Sequence, residues 1–355
     1  MHLSESSLSL TSELPHSVIK VATFNLFNFI EPPLAFYDFD KILSTQQWHK
    51  KQKWIKDYLD EFSPDIIGFQ EVFSIETLQK LTVEQGFSYF AVVDEPNIVD
   101  DFICDSPVVA IASKFPIKQT CNVAPDLDIA KSIGLTSDFK FSRKVLRATI
   151  DLPHAGLIDC YVVHFKSKRP MLDLEQQEDV SESSLVSRLK AQIAGGWGSA
   201  IIRGSESSLL LIEMINRRQQ KGYPMMLLGD FNNPLDDGIL AHLTTESLRF
   251  YNDNDEVLNK YYLKDSWQLY CASFNTNAVL DETLPNRKPT HYYGAKGSVL
   301  DYILLSSEFD AGEQASLFEV SEHHTYDRHL INPIFERDGE STDHGVVMIT
   351  LSLRS

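Results

Sequence analysis

Several short apolar runs in this sequence end in side chains that can bind a cation or move a proton. In "MMLLGDFNNPLDD", a run of Met and Leu leads directly into Asp230 and Asn232. Asp, Asn, Gly and Pro are also the usual turn formers, so this stretch alone is equally typical of a tight turn. The run "KVATFN" ends at Asn25, "DIIGFQE" at Glu71 and "DCYVVH" at His164. The repetition favours one shared site over several separate turns.

Other polar groups stand at the beginning of apolar runs. Asp301 opens "DYILL", and Asp343 and His344 precede "GVVMI". Because antiparallel strands run in opposite directions, the end of one strand and the start of its neighbour lie at one edge of a sheet. A carboxylate inside an apolar run is costly unless it is paired, and His344 is an available partner for Asp301. Each residue alone has an ordinary explanation, such as a turn or cap for Asp343, but the whole set predicts a site.

The elements that must position these groups alternate between short strands and amphipathic helices. The pattern predicts a helix over 48–62 and another that begins after Ser74. Strands are predicted at 18–26, 65–72, 87–93, 107–113, 145–151, 157–165, 224–229, 299–305 and 344–353. Strands this numerous, mixed with helices, indicate an α/β sandwich with buried sheets.

The length of 355 residues allows one large domain or two ordinary ones. Residues 1–17 are predicted to be a flexible lead-in, and residues 18–355 a single domain. A mostly helical insertion is predicted at about 171–223. Its glycines at 195, 196 and 204 are expected to break it into pieces.

The chain is strongly acidic, with 32 Lys and Arg residues against 50 Asp and Glu residues and a net charge of −18. Nucleic acid and anionic membranes repel such a protein on average, so binding a phosphate-rich ligand requires a local basic patch or bound cations. The four cysteines form no CxxC pair, which fits a reducing compartment. The N-terminus does not read as a signal peptide, and no window is apolar enough for a transmembrane helix. A cytoplasmic location is therefore favoured over a secreted one.

The order of these motifs resembles a known superfamily. "FN", "QE", a strand-ending His, "GDFN", "LDYILLS" and "TDH" follow one another as in the endonuclease/exonuclease/phosphatase superfamily, which has the deoxyribonuclease I-like fold. The resemblance extends from Val18 to Leu353, and "HFKSKRP" is closest to the form in bacterial nuclease members. It implies a four-layer α/β sandwich, with two packed central mixed β-sheets flanked by helices and a site at one edge.

The resemblance also implies metal-dependent hydrolysis of a phosphate ester by water. The expected ion is Mg²⁺, with Mn²⁺ or Ca²⁺ as alternatives, because a hard cation neutralises the charge that develops on a phosphodiester. Glu71 is the implied metal ligand, with Asn25 and Asp343 beside it. One departure concerns the position two residues after Asn25, where some members carry an acidic residue and this chain has Phe27.

The catalytic roles implied by the resemblance are divided among five residues. Asp230 would orient and deprotonate the attacking water, with Asn232 holding water or a phosphate oxygen nearby. Asp301 would fix the tautomer of His344, whose other ring nitrogen would face a phosphate oxygen. His164 would be a second phosphate-facing donor.

Five further residues are candidates for substrate contact: Lys166, Lys168, Arg143, Arg203 and Tyr292. The two lysines follow His164, at the rim that faces the substrate backbone in the family. A solvated charged turn explains Lys168 equally well. Arg203 resembles an Arg common in nuclease-like members, although its helix could simply expose it, and the ring of Tyr292 could stack on a base or pack on its own loop.

Three functions remain open at this point. The first is a nuclease that cleaves the phosphodiester bonds of nucleic acid, its substrate. The second is a phosphatase or phosphodiesterase for a small phosphate ester or lipid headgroup, of the inositol phosphate or sphingomyelin type. The basic stretch after His164 favours a polyanion, and the overall acidity favours a smaller ligand. A non-catalytic binding module is the third, but it has no physical need for so complete a set of polar groups. The oligomeric state is not predicted.

Overall fold

The computed structural model describes residues 17–172, 181–248, 255–277 and 286–354. All but the last residue of the predicted lead-in therefore lies outside the described residues. The strands are β1 Val18–Phe29, β2 Ala35–Phe36, β3 Ile66–Val72, β4 Tyr89–Val92, β5 Ile98–Val99, β6 Ile103–Cys104, β7 Val108–Ser113, β8 Ile117–Val123, β9 Val145–Leu152, β10 Gly156–His164, β11 Met225–Asp230, β12 Lys264–Asp265, β13 His291–Tyr293, β14 Lys296–Ser298, β15 Asp301–Leu305, β16 Phe318–Tyr326 and β17 Val346–Leu353. The helices are α1 Thr45–Phe62, α2 Ile75–Glu84, α3 Leu127–Ser132, α4 Glu182–Lys221, α5 Asp255–Leu258, α6 Ser266–Asn277, α7 Arg328–Ile331 and α8 Phe335–Asp338.

Two six-stranded mixed sheets form the centre of the molecule. The first has the order β16-β17-β1-β3-β7-β4, and the second has the order β12-β15-β11-β10-β9-β8. Within them β1 pairs with β3 and β10 pairs with β11 in parallel, while the other neighbours are antiparallel. Of the two smaller sheets, the hairpin β13–β14 lies nearer the site in sequence than the three-stranded sheet β2-β6-β5. The predicted sandwich of two mixed sheets is confirmed.

The hydrophobic core divides into layers that match this architecture. One buried cluster joins the facing sides of the two sheets, with Val21 and Ile111 from the first and Val162 and Ile303 from the second. A second cluster packs α1 and α2 on the outer face of the first sheet, and a third packs α4 on the outer face of the second. Burying apolar area on both faces of each sheet is what stabilises such a layered fold.

Helix α4 differs from the expectation. It runs without interruption over 40 residues, so the prediction that its glycines break it is wrong. A glycine inside a helix costs only about 1 kcal/mol relative to alanine, which packing along a long helix offsets. At Gly195 a Cβ atom would lie 2.6 Å from the backbone nitrogen of Leu172, so this glycine allows close approach of the chain. The helix ends at Gly222, whose φ of 73° is a left-handed cap.

The sequence pattern also missed elements. Strand β16 contains "SEHH", and the hairpin β13–β14 falls in a stretch that reads as polar loop. The two strands of the hairpin have three residues each, and β16 has the polar run SEHHT in its middle, so neither shows a clear apolar alternation. None of the described helices is both long and apolar enough to span a bilayer.

The turn that leads into β17 is anchored by a buried carboxylate. Asp338 accepts hydrogen bonds from the indole nitrogen of Trp54 at 3.0 Å and from the backbone nitrogen of Ile334 at 2.7 Å. The guanidinium of Arg337 donates to both of its oxygens at 2.7 Å. The backbone and hydroxyl of Ser341 donate to its carbonyl oxygen, so this anchor fixes the path toward Asp343.

Replacing this carboxylate is expected to destabilise the protein in a pH-dependent way. Burial raises the pKa of Asp338, but its hydrogen bonds from Arg337, Ile334 and Trp54 lower that pKa to about 2. A carboxyl group whose pKa is depressed by folding stabilises the protein above the unfolded pKa of about 3.9. That stabilisation is lost as the pH falls toward the folded pKa.

We expect Asp338→Asn to lower the free energy of unfolding at neutral pH, with the difference from wild type shrinking between about pH 4 and pH 2. Urea unfolding across that range measures it. Glu336→Gln, on the same helix but exposed, is the control, and an equal effect of the two substitutions would contradict the anchor.

Candidate active site

Three neighbouring strands of the second sheet place three polar residues side by side. In the parallel pair β10–β11, His164 lies opposite Asp230, and in the antiparallel pair β11–β15, Asp230 lies opposite Asp301. Directly paired residues project from the same face of a sheet. The imidazole Nε2 of His164 is 3.4 Å from Oδ2 of Asp230. The sheet register therefore brings together three of the residues that the sequence marked.

The first sheet contributes Asn25 and Glu71 to the same edge of the sandwich. This edge, with the side chains of Asn25, Glu71, His164, Asp230, Asp301, Asp343 and His344, is called the rim below. The side-chain nitrogen of Asn25 donates to Oδ2 of Asp230 at 3.2 Å and lies 3.5 Å from Oε1 of Glu71. Asn25 is buried, and its carbonyl oxygen accepts from Thr342, in the turn before β17. Asn25 thus connects both sheets at the point where the strand ends meet.

His344 and Asp301 form the pair that the sequence suggested. Nδ1 of His344 lies 2.8 Å from Oδ2 of Asp301, and its Nε2 lies 3.8 Å from Oδ2 of Asp230. Burial lowers the pKa of His344, but the carboxylates of Asp301 and Asp230 outweigh it and hold that pKa well above its ordinary value. This raised pKa favours the imidazolium form, in which both ring nitrogens are donors.

Asp230 is the most heavily contacted carboxylate of the rim. Besides Asn25 and His164, it accepts from the backbone nitrogen of Asn232 at 2.7 Å and from its side-chain nitrogen at 3.2 Å. Burial raises the pKa of Asp230 to about 7; the charge of His344 opposes that rise and the charge of Asp301 adds to it. A carboxyl group poised near neutral pH is suited to accept a proton from water.

The neighbouring His164 is neutral. Burial lowers its pKa well below the ordinary value, and the charges of Arg143 and His344 add to the effect. A neutral imidazole donates through one nitrogen only. Its Nδ1 has no hydrogen-bond partner among the described residues.

The backbone at this rim is strained. Phe27, Asn28, Glu71 and Asn232 have φ values of 50°, 55°, 62° and 53°, the left-handed region that non-glycine residues rarely occupy. The backbone nitrogen of Phe27 donates to Oδ1 of Asn25 at 3.0 Å, and that of Asn28 donates to Oε2 of Glu71 at 2.9 Å. Site side chains therefore hold the strained conformation. Such strain clusters at functional sites in proteins.

Several of these groups could hold a metal ion. Burial raises the pKa of Glu71, and the nearby charge of Asp343 raises it further, which is the electrostatic situation that a bound cation relieves. Carboxylate oxygens are the ligands that hard divalent ions prefer. Ligand atoms of His291, Asp343 and His344 lie within 4.8 Å of one another, as do those of Asp230, Asp301 and His344. Glu71 belongs to neither group, and His344 could act as a ligand only in its neutral form.

Sequence reasoning missed His291. Its ring centroid lies 5.1 Å from that of His344, and the two residues form an isolated β-bridge. The only signal in the sequence was its position at the start of the aromatic segment before β15. The contact itself depends on how the hairpin β13–β14 folds against the turn before β17.

Helix α4 holds the loops beside the site through Glu206. This buried carboxylate accepts from the backbone nitrogen of Ser142 at 2.5 Å and from that of Lys166 at 2.8 Å. Ser142 precedes Arg143, so both cationic loops are tied to one helix residue. Sequence reasoning missed Glu206, although an acidic residue beside the apolar run of α4 was a signal.

Arg203, one turn earlier on α4, also holds the loop that contains Lys166. Its guanidinium is buried, donates to the carbonyl oxygen of Lys166 at 2.8 Å and reaches Oδ1 of Asn233 at 3.4 Å. The suggestion that its helix simply exposes Arg203 is wrong. These contacts favour a role in holding the loops rather than the substrate contact that the sequence suggested.

The other predicted substrate contacts lie nearer the surface. Arg143 is half-buried, with Nη1 3.5 Å from the carbonyl oxygen of Phe165, and Lys166 is half-buried, with Nζ 3.4 Å from the carbonyl oxygen of Arg169. Lys168 is exposed, and Tyr292 is half-buried on β13. Three cationic side chains thus stand on the two loops that Glu206 ties together.

Removing the Glu206 carboxylate is expected to loosen these loops. Glu206→Ala leaves the Ser142 and Lys166 nitrogens without their acceptor, and a buried donor left unsatisfied costs about 1–3 kcal/mol. We expect the free energy of unfolding to fall by about that amount, and by less in Glu206→Gln, which keeps one acceptor oxygen. Urea unfolding measures both. Glu213→Ala, on the same helix with a bond only to Asn216, is the control; a loss as large as that of Glu206→Ala would count against the role of Glu206.

Comparisons with known proteins concern the family and the fold. A family model described as "Endonuclease/Exonuclease/phosphatase family" matches residues 22–344. A comparison with curated proteins found no matching sequence. Among solved structures, the human Nocturnin catalytic domain with bound sulfate anion is 17% identical, with 95% of each chain covered and a TM-score of 0.57.

Two further solved structures are similar in fold. An endonuclease/exonuclease/phosphatase from Beutenbergia cavernae is 15% identical over 95% of this chain and 72% of that one, with a TM-score of 0.51. TDP2 from C. elegans is 12% identical over 97% of this chain and 78% of that one, with a TM-score of 0.52. At these identities the likeness establishes the fold alone.

Proposed function

The chain belongs to the endonuclease/exonuclease/phosphatase family, and we propose that it is a divalent-metal-dependent nuclease that hydrolyses phosphodiester bonds of nucleic acid. The observation that carries the proposal is the position of Asp230. This carboxylate, with a pKa raised by burial to about 7, lies 3.8 Å from Nε2 of a histidine whose pKa is raised well above its ordinary value. A proton acceptor beside a fixed positive charge is what water attack on a phosphodiester requires.

The carboxylates and amide of the rim suit a hard divalent ion. Glu71 would hold it, with Asn25 and Asp343 beside it, and Mg²⁺ is the proposed ion, with Mn²⁺ or Ca²⁺ as alternatives. When bound, such an ion neutralises charge on a phosphate oxygen during the reaction. The raised pKa of Glu71, caused by burial and by the charge of Asp343, supports this assignment.

The chain's own residues account for the movement of protons. Asp230 takes a proton from the attacking water as the water oxygen bonds to phosphorus and the bond to the leaving oxygen breaks. Asn232, which donates to both oxygens of Asp230, keeps that carboxylate oriented. Nε2 of His344 donates to a non-bridging phosphate oxygen, while Asp301 on the other ring nitrogen holds the imidazolium in place.

His164 supports the same carboxylate. Its Nε2 lies 3.4 Å from Asp230 and its ring is neutral. We propose that the one proton of the ring lies on Nε2 and orients Asp230, rather than reaching a phosphate oxygen.

The choice of a polymeric substrate rests on the cationic loops. Three cationic side chains stand on these loops, Lys166, Lys168 and Arg143, and they form a local surface for consecutive phosphates. Such a surface is needed because the net charge of the protein is −18. The second candidate is a phosphatase or phosphodiesterase for a small or lipid phosphate headgroup. The overall acidity favours it, because a small ester avoids most of the long-range repulsion that a polyanion experiences.

Asp230→Asn is expected to lower the rate of hydrolysis by at least ~100-fold, because an amide cannot accept the proton of the attacking water. The change is nearly isosteric, so the fold and substrate affinity should persist. Nicking of supercoiled DNA in Mg²⁺, followed over time, measures the rate. Asp236→Asn, an exposed neighbour beyond the same strand, should leave the rate unchanged. A wild-type rate for Asp230→Asn would refute its assignment as the base.

The substrate class is tested with a panel of phosphate esters. Supercoiled DNA, single-stranded RNA, inositol phosphates and sphingomyelin are each incubated with the protein and Mg²⁺, with and without a chelator. We expect cleavage of nucleic acid that the chelator abolishes. Cleavage of the small esters or sphingomyelin alone would move the function to the second candidate, and cleavage that survives chelation would exclude the metal.

A further inference from the structure

A pocket opens directly beside the metal-binding side of the rim. Its volume is about 180 Å³, which leaves room for one ring system. The residues that line it include Phe27, Phe36, Lys51, Thr342 and Asp343. Asp343 belongs to the candidate metal site, so a molecule bound at that site has a neighbouring group within reach of the pocket.

A strained backbone conformation places the side chain of Phe27 at this pocket. It follows Asn25 by two residues, its φ of 50° is left-handed, and its backbone nitrogen is held by Oδ1 of Asn25 at 3.0 Å. Its side chain remains 43% exposed, although most neighbouring residues of β1 are buried. A large aromatic side chain held exposed by the site's own hydrogen bonds is poorly explained by core packing.

Lys51 provides a donor at the same place. Its Nζ lies 5.7 Å from the centre of the Phe27 ring and donates to the carbonyl oxygen of Ser341 at 3.0 Å. An ammonium group has three donor protons, and the hydrogen bond to Ser341 is the one that the described residues give to buried Lys51. Glu340 and Asp343 also line the pocket, and their charges disfavour an anionic occupant. The pocket therefore suits an uncharged, flat group with hydrogen-bond acceptors.

We propose that this pocket binds a nucleobase of the substrate, stacked on Phe27 and hydrogen-bonded by Lys51, while the adjoining phosphate lies at the rim. The inference rests on the proposed function and makes it more specific. Every base has a π-face, so stacking on a single aromatic ring accepts any base, and the Lys51 donor favours bases with carbonyl oxygens. Phe27 is then a substrate-binding residue at the position where some family members carry an acidic residue.

The test measures binding without catalysis. Two single-stranded DNA oligomers of equal length and charge, one with bases and one with abasic sites throughout, are titrated by fluorescence anisotropy in the presence of a chelator. We expect wild type to bind the base-containing oligomer more tightly, and Phe27→Ala to reduce that preference roughly 5- to 150-fold. Phe27→Leu keeps an apolar side chain without the ring and should lose most of the preference.

Tyr89→Ala is the matched control. Tyr89 is 37% exposed and begins β4. It pairs with Ser113, which also pairs with Ile66. Ile66 stands at the opposite end of β3 from Glu71. It should keep the wild-type preference. A preference that survives Phe27→Ala in folded protein, shown by unchanged circular dichroism, overturns the pocket assignment, as does equal binding of both oligomers by wild type.

Failure of this inference is separable from failure of the proposed function. If wild type cleaves nucleic acid but binds both oligomers equally, the nuclease assignment stands and the pocket assignment fails. If it discriminates the oligomers through Phe27 but hydrolyses no nucleic acid, the pocket assignment stands and the nuclease assignment fails.

Discussion

The burial of the Asp230 carboxylate is the constraint on which the rest of the rim depends. A buried carboxylate is costly unless its oxygens are hydrogen-bonded or a positive charge is near. Here Asn25 donates from the first sheet, Asn232 from the following turn, and the imidazolium of His344 stands 3.8 Å away. Because these partners come from both sheets, the carboxylate is satisfied only when the two sheets are packed in one register.

The rigid elements on either side keep this arrangement in place. On one side, hydrogen bonds within the rim hold Phe27 and Asn28 in left-handed conformations, which cost of order 1–3 kcal/mol each. On the other, Glu206 fixes the two cationic loops to a continuous helix. The layered apolar cores supply the stability that offsets these costs, so the loops carry the chemistry without having to stabilise the fold.

Charge is distributed to suit an anionic substrate despite the acidity of the chain. The net charge of −18 repels a polyanion at long range, whereas salt screens that repulsion beyond about 8–10 Å. Within that distance the four carboxylates of the rim, Glu71, Asp230, Asp301 and Asp343, stand beside four groups that can carry positive charge, His344, Arg143, Lys166 and Lys168. A divalent ion at Glu71 would add to them. The pocket beside Phe27 then suits the uncharged part of the same substrate.

The family resemblance, the two-sheet sandwich and most of the polar residues of the rim can be predicted from the amino-acid sequence. The reason is that strand periodicity and strand ends are local features. Five of these residues stand within two positions of a strand end, namely Glu71, His164, Asp230, Asp301 and His344, and Asn25 stands one position before the predicted end of β1. Other features appear only once the chain is folded. Arg203 is buried and Glu206 ties two loops together. His291 approaches His344, and α4 continues through its glycines. Those outcomes depend on contacts between segments far apart in the chain, such as the 37 residues that separate Arg203 from Lys166, and no local pattern encodes a partner at that distance.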